Sequence, residues 1–247
     1  MRPPTVLSIA GSDPGGGAGV QADLKTFRDH DVYGMAAITA LTIQDSRTVF
    51  RVVPVDAIVL EDQVRRVLED YPVDSIKIGM LGGVAQAEAI VRALGTFRGP
   101  VVLDPVLFST GGMALVDSID AVHRLLPLTT LLTPNTDEAA ALGLMASGAL
   151  PCAVLFKGGH VVSDDRFVTD ILVDGASTIR IRHRRYPHAP HGTGCTLSSA
   201  VASRLARGDD LPTACRGGIR YVSRLIANPG IGLGSGAPPL LHGVRSR

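Results

Sequence analysis

His191-Gly192-Thr193-Gly194-Cys195 is the stretch of this chain richest in groups that could do chemistry. It precedes the apolar periodic run from Leu197 to Leu205, so its two glycines fall where a helix begins. Successive backbone amides from Gly192 to Cys195 would converge there with the positive end of the helix dipole, forming an anion hole that needs no charged side chain. Cys195, in the first turn, is expected to have a lowered thiol pKa, because a helix end of that polarity favours thiolate. A thiol hydrolase built on Cys195 and His191 is a second use of these residues, but no third group nearby would orient the imidazole, and the chain has no Gly-x-Ser-x-Gly elbow. The purely structural use is a small residue on a glycine-capped helix.

Three other clusters could meet that anion hole. Phe156-Lys157-Gly158-Gly159-His160 ends an apolar run with one of only three lysines in the chain, a point charge suited to phosphate. Thr133-Pro134-Asn135-Thr136-Asp137-Glu138 carries an N-cap, Asn135, with Glu138 three residues on; the pair is either a capping box alone or a capping box whose Glu138 also reaches magnesium. Gly11-Ser12-Asp13-Pro14-Gly15-Gly16-Gly17-Ala18-Gly19 leaves a strand and opens a helix, which suits a loop covering a ligand. Within it, Gly17-Ala18-Gly19-Val20-Gln21-Ala22 fits the dinucleotide pattern, with Asp45 as the ribose acid, but Gly17 stands six residues past the strand end and the Rossmann turn needs its glycines at the strand terminus. No Gly-Lys pair exists, which excludes a Walker A loop. His183, His188 and His191 read as a solvated loop, not a metal site, for want of further ligands.

Positioning these clusters requires a sheet whose strands end at each of them. Apolar runs at 5–10, 36–43, 75–78, 101–103, 130–132 and 153–156 alternate with amphipathic helical patterns, and Asp56 caps the helix that runs to about Asp70. That alternation predicts βαβ units: a mostly parallel sheet with helices on both faces, in one domain spanning 1–247. Val49 to Val53 reads as a small edge strand. Phe167 to Val173 and Thr178 to Ile181, joined at Asp174-Gly175, predict an antiparallel hairpin at the other edge, and two helices close the chain.

Of the 247 residues, 45% are hydrophobic and 19% charged, with net charge +1, so no broad field argues for nucleic acid or an anionic membrane as partner. No apolar run approaches the ~20 residues of a membrane span, and the start of the chain lacks a secretory pattern. The three cysteines are odd in number and far apart, which fits a reducing compartment and makes the cytoplasm the expected location. The edge hairpin and near-neutral charge suit a homodimer.

In this order the motifs resemble the hydroxymethylpyrimidine/phosphomethylpyrimidine kinases of thiamin biosynthesis, in the ribokinase-like superfamily, over nearly the whole chain. The carrying stretches are the 11–26 loop and helix, Ile43-Gln44-Asp45, Lys77-Ile78-Gly79-Met80-Leu81, Leu103-Asp104-Pro105-Val106, Thr133-Pro134-Asn135 with Glu138, Lys157-Gly158-Gly159-His160 and the His191 to Cys195 run. The resemblance implies a three-layer sandwich and a small-molecule pyrimidine site lined by the Gly11 backbone, Asp23, Gln44, Met80 and Val106. It implies ATP held by Lys157, Asn135, Thr193 and Gly194, magnesium near Asp104 and Glu138, and room for a monovalent cation. Gly192, Thr193 and Gly194 would cradle the transferring phosphoryl group, with Lys157 on the phosphates. Cys195 would activate the substrate hydroxymethyl oxygen, although the amide hole and magnesium would do most of the catalysis. Pyridoxal kinases share these motifs and are the alternative within the class; a pyrimidine-binding regulator without catalysis is the alternative outside it. Two departures stand out: the chain is short between Leu142 and Pro151, and Ser109-Thr110-Gly111-Gly112 replaces a lysine usual before the glycine turn, which alters the expected substrate lid.

Overall fold

A computed structural model describes residues 2–109, 112–160, 166–187 and 190–243. Nine strands form one sheet: β1 (Thr5–Ser12), β2 (Tyr33–Gln44), β3 (Val49–Pro54), β4 (Ser75–Ile78), β5 (Val101–Leu103), β6 (Leu131–Leu132), β7 (Ala153–Phe156), β8 (Phe167–Asp174) and β9 (Ser177–Arg184). Their spatial order is β3-β2-β1-β4-β5-β6-β7-β8-β9. Strands β2, β1, β4, β5, β6 and β7 run parallel; β3 is antiparallel at one edge, and the β8–β9 hairpin is antiparallel at the other. β1 sends the chain outward to β2, and the chain then returns to β4 on its other side. That reversal of strand order opens a crevice at the carboxyl ends, where ligands bind in sheets of this kind.

The helices are α1 (Gly19–Asp29), α2 (Ala57–Asp70), α3 (Val84–Ala93), α4 (Asp120–Leu125), α5 (Thr136–Ala141), α6 (Thr193–Ala206) and α7 (Leu211–Ile226). The two-residue period of the strands divides them between two layers. Leu7, Ile76, Leu103, Leu132 and Val154 face Leu60, Val64, Ile90 and Leu125 of α2, α3 and α4. Their neighbours Val6, Val102, Leu131 and Leu155 face Phe27, Leu197, Val201 and Val222 of α1, α6 and α7. The expected α/β sandwich of ribokinase-like type, mostly parallel with an edge hairpin, is the observed one. Asp56 caps α2 through the amides of Ile58 and Val59, and Asp210 caps α7. Helix α4 stops at Leu125 and passes into a 3-10 turn over Leu126–Leu128, because Pro127 has no amide hydrogen to continue the ladder. No helix among the described residues is long and apolar enough to cross a membrane.

Candidate active site

The site follows the carboxyl edge of the sheet. Gly11 lies at the end of β1, Gln44 ends β2, Met80 follows β4, Asp104 follows β5, Asn135 follows β6 and Lys157 follows β7. With adjacent strands ~4.8 Å apart, this row forms an elongated crevice with two chemically different ends.

The polar end is built on Lys157. Its Nζ lies 3.0 Å from Asp104 Oδ1 and 3.8 Å from Glu138 Oε2, all three side chains being largely buried. Thr133 Oγ1 donates to the same Asp104 oxygen at 3.0 Å. Burial alone would discharge the lysine, but Asp104 and Glu138 outweigh it and hold its pKa above the usual value. Glu138 is pushed upward by burial, Lys157 opposes that shift and Asp104 adds to it. Two carboxylates against one ammonium leave a formal charge of about −1, which calls for a cation between them and any phosphate held at the α6 amides.

The first turn of α6 packs onto this cluster. A Cβ placed on Gly194 would stand 3.3 Å from Lys157 Nζ and 3.4 Å from Asp104 Oδ2, so the backbone itself lies against the pair. Gly192 takes the N-cap position at φ 83, and no side chain caps the helix, which leaves the first-turn amides facing the crevice. Gly192 touches the Gly17 carbonyl of the glycine-rich loop. That loop is tied down by Asp13, a buried residue whose Oδ2 accepts from the amides of Gly17 (3.0 Å) and Ala18 (2.9 Å) and contacts His191 Nε2 at 3.2 Å. Burial works against the Asp13 charge, yet the His191 contact and the amides of Ala18 and Gly15 hold its pKa below the usual carboxylate range.

The apolar end is a small cluster of Ala40, Met80 and Leu115, with Val49, Val52 and Val106 packed against it. The position of a Gly11 Cβ would be 3.0 Å from Met80 Sδ, and Thr39 Oγ1 fixes the Met80 carbonyl at 2.6 Å. Gln44 is half-buried, and its carboxamide makes no hydrogen bond among the described residues. Leu115 joins this end, its amide donating to the Leu107 carbonyl, and the Ser109 amide donates to the Met113 carbonyl; Thr110 and Gly111, part of the altered lid, lie outside the described residues.

Cys195 stands between the two ends, and the expected lowered thiol pKa does not hold. Burial pushes the thiol up to about 11, and Asp104 and Asp23 add to that rise. Lys77 and the Gly19 amide pull the other way and do not overcome it. A helix N-terminus lowers a thiol pKa only when the charged form keeps solvent or a net positive neighbourhood, and here desolvation wins.

The Asp23 carboxylate is fully buried, paired with Lys77 at 2.8 Å and hydrogen-bonded to Ser8 (2.6 Å) and Ser199 (2.7 Å), so both its oxygens are engaged within the protein. Asn135 spends its side-chain oxygen, its backbone amide and its carbonyl on capping α5, which leaves its side-chain NH2 group as the donor open to a nucleotide. Asp45 caps its own turn through the amides of Arg47 and Thr48. His183 pairs with Asp170 on β8 at 3.1 Å and His191 with Asp13, so the two do not converge on a metal; His188 lies outside the described residues.

Sequence reading missed Asp13, Asp170, Thr133 and the Lys77–Asp23 pair as organisers. Asp170, buried on β8, accepts from the Gly158 amide at 2.8 Å and so sets the turn that aims Lys157. Only Asp13 had a local signal, since Asp-Pro-Gly favours an Asx turn.

Magnesium asks for oxygen donors and keeps several waters, binding through one or two carboxylates plus phosphate. Asp104 Oδ2 has only a long contact, 3.5 Å from Ser198 Oγ, and faces Gly194. Glu138 is engaged by the Asn135 amide and reaches the same space. That donor set fits magnesium.

The family profile described as phosphomethylpyrimidine kinase matches residues 13–240. The chain is 41% identical over 265 residues to the hydroxymethylpyrimidine/phosphomethylpyrimidine kinase of Streptomyces coelicolor, covering 98% of this chain and 96% of that protein. Among solved structures, pyridoxal kinase from Staphylococcus aureus in complex with pyridoxal superposes with a TM-score of 0.85 at 32% identity, over 98% of this chain and 94% of that one. Phosphomethylpyrimidine kinase from Clostridium difficile superposes with a TM-score of 0.75 at 33% identity, over 90% and 99%.

Proposed function

The chain belongs to the phosphomethylpyrimidine kinase family, and from that premise we propose that it transfers the terminal phosphoryl group of ATP to the hydroxymethyl oxygen of 4-amino-5-hydroxymethyl-2-methylpyrimidine, then phosphorylates the monophosphate, in thiamin biosynthesis. The observation that carries this reading is the packing of the first turn of α6 on Lys157 and Asp104 at Gly194, where a Cβ would stand 3.3 Å from Lys157 Nζ and 3.4 Å from Asp104 Oδ2, beside an apolar slot floored by Met80. One end suits a dense negative charge and the other a flat ring.

Each residue then has a task. Met80, Val106 and the Gly11 backbone pack on the ring, and the uncommitted Gln44 carboxamide reads its polar edge. Lys157 holds the phosphates as a point charge aimed by Asp104 and Asp170. The amides of Thr193, Gly194 and Cys195 stabilise charge on the transferring group, the main contribution when the transition state is loose. Magnesium, held by Asp104 and through water by Glu138, would neutralise phosphate charge. With a pKa of about 11, Cys195 is thiolate in only ~10⁻⁴ of molecules at neutral pH, so it contributes by shape and polarity more than as a standing base.

The reaction and the free thiols suit a cytoplasmic enzyme. Exposed Leu41, Ile43 and Phe50 on β2 and β3 support a homodimer built on that edge, in preference to the β8–β9 hairpin. The test is coupled ADP release with the pyrimidine, its monophosphate and pyridoxal in parallel. Higher kcat/KM on pyridoxal would overturn the substrate, and pyrimidine binding without ADP release would overturn the reaction.

A further inference from the structure

A cavity of about 430 Å³ lies at the far ends of α1 and α6 from the site just described, and it is walled largely by arginine. Arg204 and Arg207 come from the end of α6, and Arg216, Arg220 and Arg224 form one stripe of α7 at intervals of four residues. We propose that this cavity is a second ligand site, for a small molecule bearing a diphosphate group.

The charge is concentrated there. Five arginines face one acidic residue, Asp29, in a chain whose net charge is only +1. Asp29 is already engaged, accepting from Tyr221 Oη at 2.7 Å and the Gly243 amide at 2.9 Å. Arg216 and Arg220 make no ion pair among the described residues, and like charges four apart on a helix repel. A chain rich in arginine would scatter such residues over convex surface with acidic neighbours. Here they line a concavity of the size that small ligands occupy.

The cavity is also built. Gly217 has no Cβ, and any Cβ there would drive into the Arg204 side chain, 2.6 Å from its Cδ; the glycine lets Arg204 lie flat on α7. One end of Arg204 is anchored to Asp209, while its Nε is buried without a hydrogen-bond partner. An orphaned buried donor is costly unless a ligand or water meets it. His30, on the rim, is held below its usual pKa by burial, and the charges of Arg204 and Arg207 add to that shift. Guanidinium forks favour phosphate oxygens in pairs, and an excess of about three positive charges, with Asp29 and the Asp209 partner of Arg204 both counted, matches a diphosphate better than a single phosphate.

The test is calorimetric titration of the full chain with inorganic pyrophosphate at low salt, in the parent and in Lys157→Ala, which weakens the phosphate crevice. One site is expected to persist at parental affinity in Lys157→Ala, with inorganic phosphate bound there at least about tenfold more weakly. Arg216→Ala with Arg220→Ala, both exposed, should weaken that site by more than about tenfold in the Lys157→Ala background and leave ADP release unchanged in the parent background. Loss of all pyrophosphate binding in folded Lys157→Ala would overturn the proposal, as would full binding in the triple variant. A short RNA that displaces pyrophosphate at comparable phosphate concentration would also overturn it, because the surface would then be a backbone-tracking patch.

Discussion

Gly192→Ala is the substitution for which the structure fixes the cost most closely. Gly192 sits at φ 83, where a side chain costs about 1–2 kcal/mol. Its Cβ would lie 2.8 Å from the Gly17 carbonyl carbon and 3.4 Å from the Ala18 Cα, with the Gly17 oxygen nearer still. Gly17 cannot swing aside cheaply, because its amide and that of Ala18 both bond to Asp13, which is buried and also held by His191. Overpacking of this kind adds about 1–3 kcal/mol, for a total stability loss of about 2–5 kcal/mol. At this chain length each kcal/mol lowers Tm by roughly 2–4 °C. The larger effect falls on turnover: moving the α6 amides by about 1 Å should lower kcat on the order of 100-fold. ADP release and thermal melting read the two effects separately, and Gly95→Ala, whose Cβ would meet nothing nearer than 3.6 Å, is the control. A folded Gly192→Ala protein with kcat within about threefold of the parent would refute the amide-hole reasoning.

Other substitutions separate the remaining roles. Lys157→Ala leaves Asp104 and Glu138 buried without their cation, so it should cost about 3–5 kcal/mol and raise the KM for ATP. Added magnesium should then raise the Tm of this variant more than that of the parent; an equal rise would remove the carboxylates from the metal site. Asp23→Asn strands Lys77 without its counter-ion and should lower stability by a similar ~3–5 kcal/mol with little change in pyrimidine KM. An unchanged Tm with a raised KM would return Asp23 to the substrate. With the Cys195 thiol near 11, kcat should show no thiol limb between about pH 6.5 and 9, and Cys195→Ser should share the parent profile. The folded value lies above that of a free thiol, so the stability it carries is complete below about pH 8.5 and falls as pH rises toward 11. A limb near neutrality present only in the parent would restore a standing thiolate.

The layers and the crevice were legible because they rest on local periodicity. Val6 and Leu7, or Leu131 and Leu132, face opposite layers simply because successive side chains on a strand do. The residues closing the strands were legible for the same reason, since an apolar run followed by Pro-Asn or Lys-Gly-Gly marks its own carboxyl end. What escaped was every role set by a partner far away in sequence. The resemblance alone puts Asp23 at the ring, and nothing near it in sequence reveals that Lys77, 54 residues on, reaches it from β4. Asp170 sits on a hairpin strand, and only the folded sheet brings it under the Gly158 amide.

Cys195 shows why position on a helix is an incomplete guide to charge. The dipole at the start of α6 is real, and the same turn brings the thiol under the influence of Lys77, Asp23 and Asp104. On the proposed reading a bound phosphoryl group accepts hydrogen bonds from those amides, whereas a half-buried thiol near two carboxylates must shed solvent and then face their charge. One helix end therefore stabilises an anion brought by a ligand while suppressing an anion on its own side chain. This is the arrangement expected where the backbone carries catalysis and the first-turn side chain must stay neutral. Substituting that side chain should accordingly disturb packing and substrate fit before it disturbs charge, which is the distinction the pH profiles of the parent and Cys195→Ser measure.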